Sequence, residues 1–382
     1  MHILVIPSWY YTEENTLLGS FFREQAAALS EHHNIKVSLA YVDLKGLRQF
    51  NRILKPEMIT VQDEYGFIEY RYTACNLIPR SKLAYNKLIY YYLNKLVKDI
   101  LDKEGKIDVI HLQSFVTHGF AANKLSKKLN IPLVYTEHST LFSRGLVSKF
   151  DKKIIRDIAI NSKAVTCVGS GLRKDLYNIT GKLPLITPNF VDESVFIRKS
   201  EKKRKIFSIL SVGFLTEKKG FKVLIEAFHR FHRRFPNSEL VIGGDGPQRS
   251  ELELIVSSFN LTGVVHFKGA QSRTQIADLM KRASVFALAS EHETFGVVLI
   301  EALACGTPIV TTNCEGPSDL VNNTNGLVVE INDIDGLCCA LEQVYSNESY
   351  YDEVSISNDC IETYGKKAYI ERMINIFKNG SL

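Results

Sequence analysis

The stretch EHETFGVVLIEALACGTPIV, residues 291–310, decides how the whole chain is interpreted. Its centre is apolar enough for a buried helix, yet it carries Glu293 and Glu301, the second in the middle of the apolar run. Burying a carboxylate is costly unless a cation or hydrogen-bond donors compensate for the lost hydration. The sequence therefore predicts a polar partner for Glu301 and a polar ligand close to this helix.

The local pattern predicts a strand over SVFALAS, a loop over EHETFG and a helix over VVLIEALAC, which Gly306 and Pro308 end. The first N–H groups of such a helix lack intrahelical partners, and the aligned dipoles favour an anion such as phosphate. Gly296 would let that anion approach closely. Glu301, about one turn inside the helix, could accept hydrogen bonds from a diol such as a ribose. Alternatively, the helix is simply capped and buried, with Glu301 bonded to a neighbouring loop.

The composition indicates a globular chain of two domains. The chain has 382 residues, of which 45% are hydrophobic and 23% are charged. Its seven cysteines are scattered without a C-x-x-C pair, so we expect neither a disulfide framework nor a zinc site. The first apolar run, HILVI, is too short for a signal peptide, and no run reaches the ~18 apolar residues of a membrane-spanning helix. We therefore expect a cytoplasmic protein that is not integral to a membrane.

The net charge of +5 is unevenly distributed. Residues 1–192 contain 26 Lys and Arg against 18 Asp and Glu, a balance of +8, and the remainder has a balance of −3. The segment 80–100, RSKLAYNKLIYYYLNKLVKDI, places aliphatic residues, tyrosines and lysines at helical spacing. It predicts either a core helix with a lysine-rich outer face or a helix that rests on an anionic membrane surface. No nucleic-acid partner is expected, because the charge excess is modest and no recognition motif is present.

Strand and helix patterns alternate along the whole chain, which indicates the α/β class. The strand patterns HILVI, KVSLAYV, VIHLQ, PLVYTEH, AVTCVGS and PLITPNF come first, and after the charged segment 198–205 the alternation begins again with FSILSVG. We predict two facing Rossmann-like domains, 1–192 and 193–365, with ligands in a cleft at the carboxyl ends of the strands. The final helical pattern, within 366–382, packs on its own domain or crosses back to the first.

Seven segments together resemble a known family. ETFGVVLIEALACGTPIV resembles the E-x7-E signature of the retaining family 4 glycosyltransferases, whose GT-B fold has two facing Rossmann-like domains. The other six occur in the order of the family: PSWYYTEENTLLGSFFREQ, YTEHS, TPNFVDESVF, SVGFLTEKKG, IGGDGP and FKGAQSRTQIADLMKRASVFALAS. The resemblance implies transfer of a sugar from a UDP- or GDP-sugar to a glycan or lipid-linked acceptor, as in bacterial surface polysaccharide assembly. It also implies an acceptor-side first domain and a nucleotide-sugar-binding second domain.

The resemblance implies three catalytic residues. His138 matches the family histidine that hydrogen-bonds the transferred sugar near the reacting carbon, Lys219 matches the lysine on the diphosphate, and Glu293 binds hydroxyls of the sugar. Stabilising the charge that grows on the departing diphosphate is usually the largest electrostatic contribution to such a reaction. The family reaction is a front-face substitution in which a departing phosphate oxygen helps to accept the acceptor's proton. We expect neither a catalytic metal nor a cofactor.

The resemblance also implies a set of donor-binding residues. Gly19 belongs to a loop over the donor phosphates, where only a small residue allows a close approach. Glu301 would bind the ribose. The remaining residues follow predicted strands of the second domain and are Gly213, Gly269, Ala270, Gln271, Thr294, Phe295, Gly296 and Val297. Residues 269–271 are expected to contact the base through backbone groups, which leaves UDP and GDP undistinguished.

One position departs from the family pattern. The motif GRLxxxKG supplies an Arg to the diphosphate, and Phe214 stands at that place. Either Lys218, Arg249 or Arg273 substitutes for the missing guanidinium, or the helix terminus carries more of the charge. Phe214 keeps open a second interpretation, a catalytically inactive sugar-nucleotide-binding subunit. A nucleotide-sugar epimerase of the same fold is a further alternative, which the E-x7-E pattern disfavours.

Overall fold

The computed structural model describes residues 1–11, 18–46, 57–62, 66–76, 81–198 and 206–382. The chain forms two compact units. Unit 1 comprises Met1–Val168, Leu172–Thr187 and Ile370–Leu382. Unit 2 comprises Gly169–Gly171 and Pro188–Tyr369. Most of the charged segment predicted between the domains, residues 199–205, lies outside the described residues.

The described part of unit 1 contains one eight-stranded sheet. Its strands are β1 (His2–Pro7), β2 (Lys36–Lys45), β3 (Glu57–Gln62), β4 (Ile68–Cys75), β5 (Val109–Gln113), β6 (Leu133–Glu137), β7 (Ser162–Cys167) and β8 (Leu185–Ile186). Their order is β3-β4-β2-β1-β5-β6-β7-β8, and β3 pairs antiparallel with β4 whereas the other pairs are parallel. The central strands β1 and β5 are buried along their whole length, as expected when helices cover both faces of a sheet.

Helices connect these strands. They are α1 (Ser20–Ser30), α2 (Lys82–Glu104), α3 (Gly119–Leu129), α4 (Lys149–Asn161) and α5 (Ser170–Thr180). The basic helix predicted over residues 80–100 is α2, which begins where the Ser81 hydroxyl accepts a hydrogen bond from the Ala84 N–H. Its buried face carries aliphatic residues spaced three and four apart, namely Ile89, Leu93, Leu96 and Ile100.

The described part of unit 2 contains a six-stranded, fully parallel sheet. Its strands are β9 (Phe207–Val212), β10 (Ser238–Gly243), β11 (Val265–Gly269), β12 (Val285–Leu288), β13 (Ile309–Thr312) and β14 (Gly326–Val329), in the order β11-β10-β9-β12-β13-β14. The helices are α6 (Phe221–Arg234), α7 (Arg249–Ser258), α8 (Arg273–Arg282), α9 (Val297–Ala304), α10 (Ile334–Ser346) and α11 (Glu353–Tyr364). The predicted α/β class with two domains built on parallel sheets is confirmed. None of the described helices is long and apolar enough to cross a membrane.

The C-terminal helix α12 (Lys366–Asn379) is shared between the units, since Lys366–Tyr369 belongs to unit 2 and the following residues belong to unit 1. Within unit 1, the ring of Phe377 packs edge-on against His111, with centroids 5.2 Å apart. The Lys163 ammonium donates to the carbonyls of Phe377 at 2.9 Å and Lys378 at 2.6 Å. The end of the helix is thereby fixed to β5 and β7 of unit 1.

One local prediction was wrong, and a left-handed glycine sets the start of α6. A 3-10 turn covers Glu217–Lys219, and α6 begins only after Gly220, whose φ of 66° is left-handed. The cause is a close approach, because a Cβ at position 220 would lie 1.9 Å from the Ala289 carbonyl oxygen. The strand expected over PLITPNF shrinks to Leu185–Ile186, since the prolines around it cannot donate to a sheet.

Candidate functional site

The predicted residues of unit 2 lie at one edge of its sheet. Gly213 follows β9, Gly269 ends β11, and the loop 289–296 follows β12. Because all six strands are parallel, their carboxyl ends meet at the same edge, where α/β sheets bind ligands. The sheet order places β9 between β10 and β12, so the loop that carries Lys219 lies next to the loop that carries Glu293.

The loop after β12 is anchored where α9 begins. Phe295 is 3% exposed, and its ring lies 6.1 Å from that of Tyr364. Gly296 follows in the left-handed conformation, with φ 88°, and precedes Val297, the first residue of α9. Thr294 lies beneath Gly316, whose Cβ, if present, would be 2.4 Å from the Thr294 carbonyl oxygen. The first amides of α9 are therefore held in place at the carboxyl edge, where their dipoles favour an anion.

Lys219 and Glu293 form an ion pair across these two loops. The Lys219 Nζ lies 2.5 Å from Glu293 Oε2, and the two side chains are 18% and 17% exposed. The other carboxylate oxygen of Glu293 accepts a hydrogen bond from the Thr294 N–H at 3.2 Å. A backbone hydrogen bond from Glu291 N–H to the Lys218 carbonyl, at 2.9 Å, joins the same loops. Two of the predicted catalytic residues are thus in direct contact.

Glu301 has a cation nearby. It is 9% exposed, and its Oε1 lies 3.8 Å from a guanidinium nitrogen of Arg273, the first residue of α8. The Arg273 guanidinium also stacks over the ring of Phe196, 5.3 Å from its centroid. The buried carboxylate in the apolar run is compensated in this way, and a half-exposed guanidinium stands beside it.

The residues predicted to contact the base lie after β11. Gly269 is left-handed, with φ 70°. The Gln271 side-chain amide donates to the carbonyls of Lys268 at 2.7 Å and Ala270 at 3.1 Å, so it stabilises the turn rather than projecting from it. Arg249 stacks on Phe267 at 5.2 Å in the same region.

Phe214 stands where the family has an arginine, and the structure shows the partners of two arginines that could replace it. Its ring is 65% exposed. Arg249 already pairs with Glu253 at 2.7 Å, and Arg273 pairs with Glu301. Both guanidinium groups therefore have carboxylate partners, as Lys219 has in Glu293, and the start of α9 adds the dipoles of its first amides at this edge.

In unit 1 the structure places Gly19 and His138 next to the same aromatic ring, that of Phe22. Gly19 precedes α1 with φ 69°, and a Cβ there would lie 2.9 Å from the Trp9 carbonyl oxygen and 3.2 Å from the Phe22 ring. The Phe22 ring meets the His138 imidazole edge-on, with centroids 5.2 Å apart, and Phe21 lies at the same distance. Residues 12–17 of the preceding loop lie outside the described residues.

The His138 imidazole is buried and neutral. Its residue is 5% exposed, and burial lowers the pKa of His138 to about 3, with the neighbouring His111 acting in the same direction. The His138 Nε2 donates to Gln113 Oε1 at 2.9 Å. The His138 Nδ1 has no hydrogen-bond partner within the described part of the chain. In this tautomer the buried Nδ1 is a hydrogen-bond acceptor.

Glu137 fixes the loop that carries His138. Its carboxylate, which is fully buried, accepts hydrogen bonds from the Ser114 hydroxyl at 2.6 Å, the Tyr135 hydroxyl, and the backbone N–H groups of His138 at 2.9 Å and Ser139 at 2.8 Å. Burial raises the pKa of Glu137, whereas these hydrogen bonds act in the opposite direction and lower it. Gln113 and Ser114 were not predicted as site residues, although polar residues at the carboxyl end of the apolar strand VIHLQ are a signal for a site.

The chain is similar to known glycosyltransferases. The family model "Glycosyl transferases group 1" matches residues 192–363, and the model "Glycosyltransferase Family 4" matches residues 23–195. The chain is 37% identical over 142 residues to the lipopolysaccharide core biosynthesis glycosyltransferase LpsE of Rhizobium meliloti, a match that covers 37% of this chain and 40% of that protein. It is 27% identical over 296 residues to the uncharacterized glycosyltransferase MJ1178 of Methanocaldococcus jannaschii, covering 76% of this chain and 80% of the relative.

Among solved structures, Anabaena HepE in complex with UDP is similar to this chain, with a TM-score of 0.76 at 18% identity over 99% of this chain and 100% of that one. At this identity the likeness shows a shared fold, which is GT-B. The two family models together span most of the chain, from residue 23 to residue 363. The chain belongs to the group 1 glycosyltransferases, with the GT-B fold of family 4.

Proposed function

We propose that the protein is a retaining glycosyltransferase that moves a sugar from a UDP- or GDP-sugar to a glycan or lipid-linked acceptor during assembly of a surface polysaccharide. The observation that carries the proposal is the Lys219–Glu293 ion pair beside the start of α9. The name of LpsE supports the class of acceptor, and UDP bound to HepE supports the class of donor.

In this proposal, different residues of unit 2 bind the diphosphate, the ribose, the sugar and the base of the donor. The Lys219 ammonium and the amides at 295–297 stabilise the diphosphate as negative charge grows on it. The Glu301 carboxylate accepts hydrogen bonds from the ribose, while the Arg273 guanidinium compensates its charge from 3.8 Å away. Glu293 accepts hydrogen bonds from hydroxyls of the transferred sugar, and backbone groups of 269–271 contact the base.

His138 orients the sugar rather than moving a proton. An imidazole with a pKa of about 3 is neutral near pH 7, so it can accept a hydrogen bond at Nδ1 but is a poor general acid. The acceptor's proton passes instead to the departing phosphate oxygen, which leaves from the face that the acceptor attacks. Retention then requires no covalent intermediate on a protein carboxylate.

We propose that this chemistry uses no resident metal or cofactor. The charge that grows on the diphosphate is met by Lys219 and by the dipoles at the start of α9. Titration of activity with EDTA, followed by Mg²⁺ or Mn²⁺, tests this point. Unchanged nucleotide release in EDTA supports the proposal, whereas activity restored only by the metal contradicts it.

A panel of UDP- and GDP-sugars tests the reaction itself. We expect slow release of nucleotide from one sugar nucleotide, and loss of this release in Lys219→Ala and Glu293→Ala. Lys222→Ala is the matched control, because it removes an exposed ammonium from the first turn of α6. Tight binding without turnover in an acceptor-containing extract would indicate an inactive subunit, and conversion to an isomeric sugar nucleotide would indicate an epimerase. The anomeric configuration of the product, read by proton NMR, tests retention.

We further propose that unit 1 contacts an anionic membrane from the cytoplasmic side through α2. Tyr91 is 53% exposed, with the Lys95 ammonium 4.6 Å from its ring centroid, and Leu83 is 50% exposed. Each lysine near an anionic surface contributes about 1 kcal/mol to binding. Co-flotation with phosphatidylglycerol vesicles, but not with phosphatidylcholine vesicles, is expected. A Tyr91→Ser, Lys95→Ser variant that floats as well as wild type would contradict the assignment to α2.

A further inference from the structure

We infer that the Lys219–Glu293 ion pair lets the site discriminate a nucleotide sugar from the free nucleoside diphosphate that remains after transfer. The inference rests on the proposed function, since it takes Lys219 as the diphosphate ligand and Glu293 as the sugar ligand. Its structural basis is that the two groups are bonded to each other, at 2.5 Å.

The backbones on both sides of the pair are held together. The Lys219 N–H donates to the Thr216 carbonyl at 2.9 Å, which closes the 3-10 turn. Gly220, directly after it, lies so close to Ala289 that no Cβ fits between them. The Glu291 N–H is bonded to the Lys218 carbonyl. Because these contacts fix the separation of the two loops, the ion pair opens by rotation of the side chains rather than by separation of the loops.

Binding of a free diphosphate replaces the ion pair between Lys219 and Glu293 with one between Lys219 and the phosphate. This replacement costs free energy. When the Lys219 ammonium turns from Glu293 to the phosphate, the carboxylate keeps the hydrogen bond from Thr294 N–H but loses its cation. Its side chain is 17% exposed, so water compensates for the lost cation only in part. The carboxylate also repels the anion that has taken its partner.

A nucleotide sugar avoids most of this cost. The sugar hydroxyls donate hydrogen bonds to the Glu293 carboxylate at the moment when Lys219 turns to the diphosphate, so each ion receives a new partner. Hydrogen bonds to a charged acceptor are among the stronger ones in proteins. The ion pair therefore weakens binding of the product more than binding of the donor, which favours release of the nucleoside diphosphate after each transfer.

Calorimetric titrations of UDP, GDP and the sugar nucleotide that is turned over test this inference. We expect Glu293→Gln to bind the free diphosphate about tenfold more tightly than wild type, because Lys219 no longer has to leave a carboxylate. Binding of the sugar nucleotide should stay similar or weaken, so the preference for it collapses. The matched control is Glu291→Gln, which removes the same charge from the same loop at a carboxylate bonded to Asn332, and should change neither affinity.

A second readout comes from Lys219→Met, which should weaken diphosphate binding more in the Glu293→Gln background than in wild type. If Glu293→Gln weakens sugar-nucleotide binding but leaves UDP and GDP binding unchanged or weaker, Glu293 is only a sugar ligand and the inference is overturned. If neither nucleotide binds to any variant or to wild type, the proposed function fails along with it.

Discussion

Replacing Gly220 with alanine is expected to destabilise unit 2 and to displace Lys219. The residue has φ 66° and ψ 23°, a left-handed conformation that L side chains adopt at a cost. A Cβ at this position would lie 1.9 Å from the oxygen and 2.8 Å from the carbon of the Ala289 carbonyl. Both are backbone atoms, so no side-chain rotation relieves the overlap, and either α6 or the end of β12 must move.

The size of the effect follows from these two contributions. The left-handed conformation costs about 1–2 kcal/mol for a residue with a Cβ, and overpacking costs about 1–3 kcal/mol. Together they destabilise unit 2 by about 2–5 kcal/mol, which in a domain of this size lowers the melting temperature by about 4–20 °C. Nucleotide release should fall as well, because Lys219 precedes the displaced residue.

Differential scanning calorimetry of Gly220→Ala against wild type measures the loss. Gly263→Ala is the matched control, since a Cβ at that position meets no atom within 4 Å and its backbone is not left-handed. The control should melt within about 2 °C of wild type. A Gly220→Ala variant that melts as high as the control would refute the close approach of α6 to β12, and with it the fixed separation of the Lys219 and Glu293 loops.

Three further predictions concern unit 1. Burial lowers the pKa values of His111, His118 and His138 to about 3. As the pH falls below 6.5, the imidazoles of the unfolded chain therefore become protonated before those of the folded chain. Each buried imidazole then lowers the free energy of unfolding at pH 5 by about 2 kcal/mol. A unit 1 melting temperature that stays constant from pH 7 to pH 5 would contradict this. Phe377→Ala should lower the free energy of unfolding by about 3–5 kcal/mol, measured by urea denaturation, and an unchanged midpoint would show that α12 does not pack as described. Glu137→Gln should reduce kcat for nucleotide release about tenfold with a smaller change in nucleotide affinity, because an amide has one accepting oxygen: when it faces the N–H groups of His138 and Ser139, its NH2 meets the Tyr135 hydroxyl and the Phe115 N–H; equal losses in kcat and affinity would argue against a positioning role.

Much of the fold could be predicted because its strands are buried on both faces and read as apolar runs. β1 and β5 are examples, being buried at every position. β3 was not predicted, because its sequence EMITVQ lies at the antiparallel edge of the sheet with its described side chains exposed. β14 has only four residues, GLVV, which is too short for a periodic signal.

The candidate site was predictable in its residue types but not in its pairings. The sequence shows that Glu301 needs a partner, but nothing local identifies Arg273 as that partner. The Lys219–Glu293 bond joins residues 74 positions apart and exists because β9 and β12 are neighbours in the sheet. Sheet order depends on long-range pairing, which neither periodicity nor turn signals specify.

The division of α12 between the units has a consequence for biosynthesis. Unit 1 receives Ile370–Leu382 only after the whole of Pro188–Tyr369 has been translated. Nascent chains fold their N-terminal domains first, yet here the early folding intermediate lacks the segment that carries Phe377 and covers His111. The surface of unit 1 that Phe377 later covers is therefore accessible to chaperones while unit 2 is being translated. Expression of unit 1 alone would require an internal deletion of residues 188–369, with a linker that joins the end of β8 to Ile370.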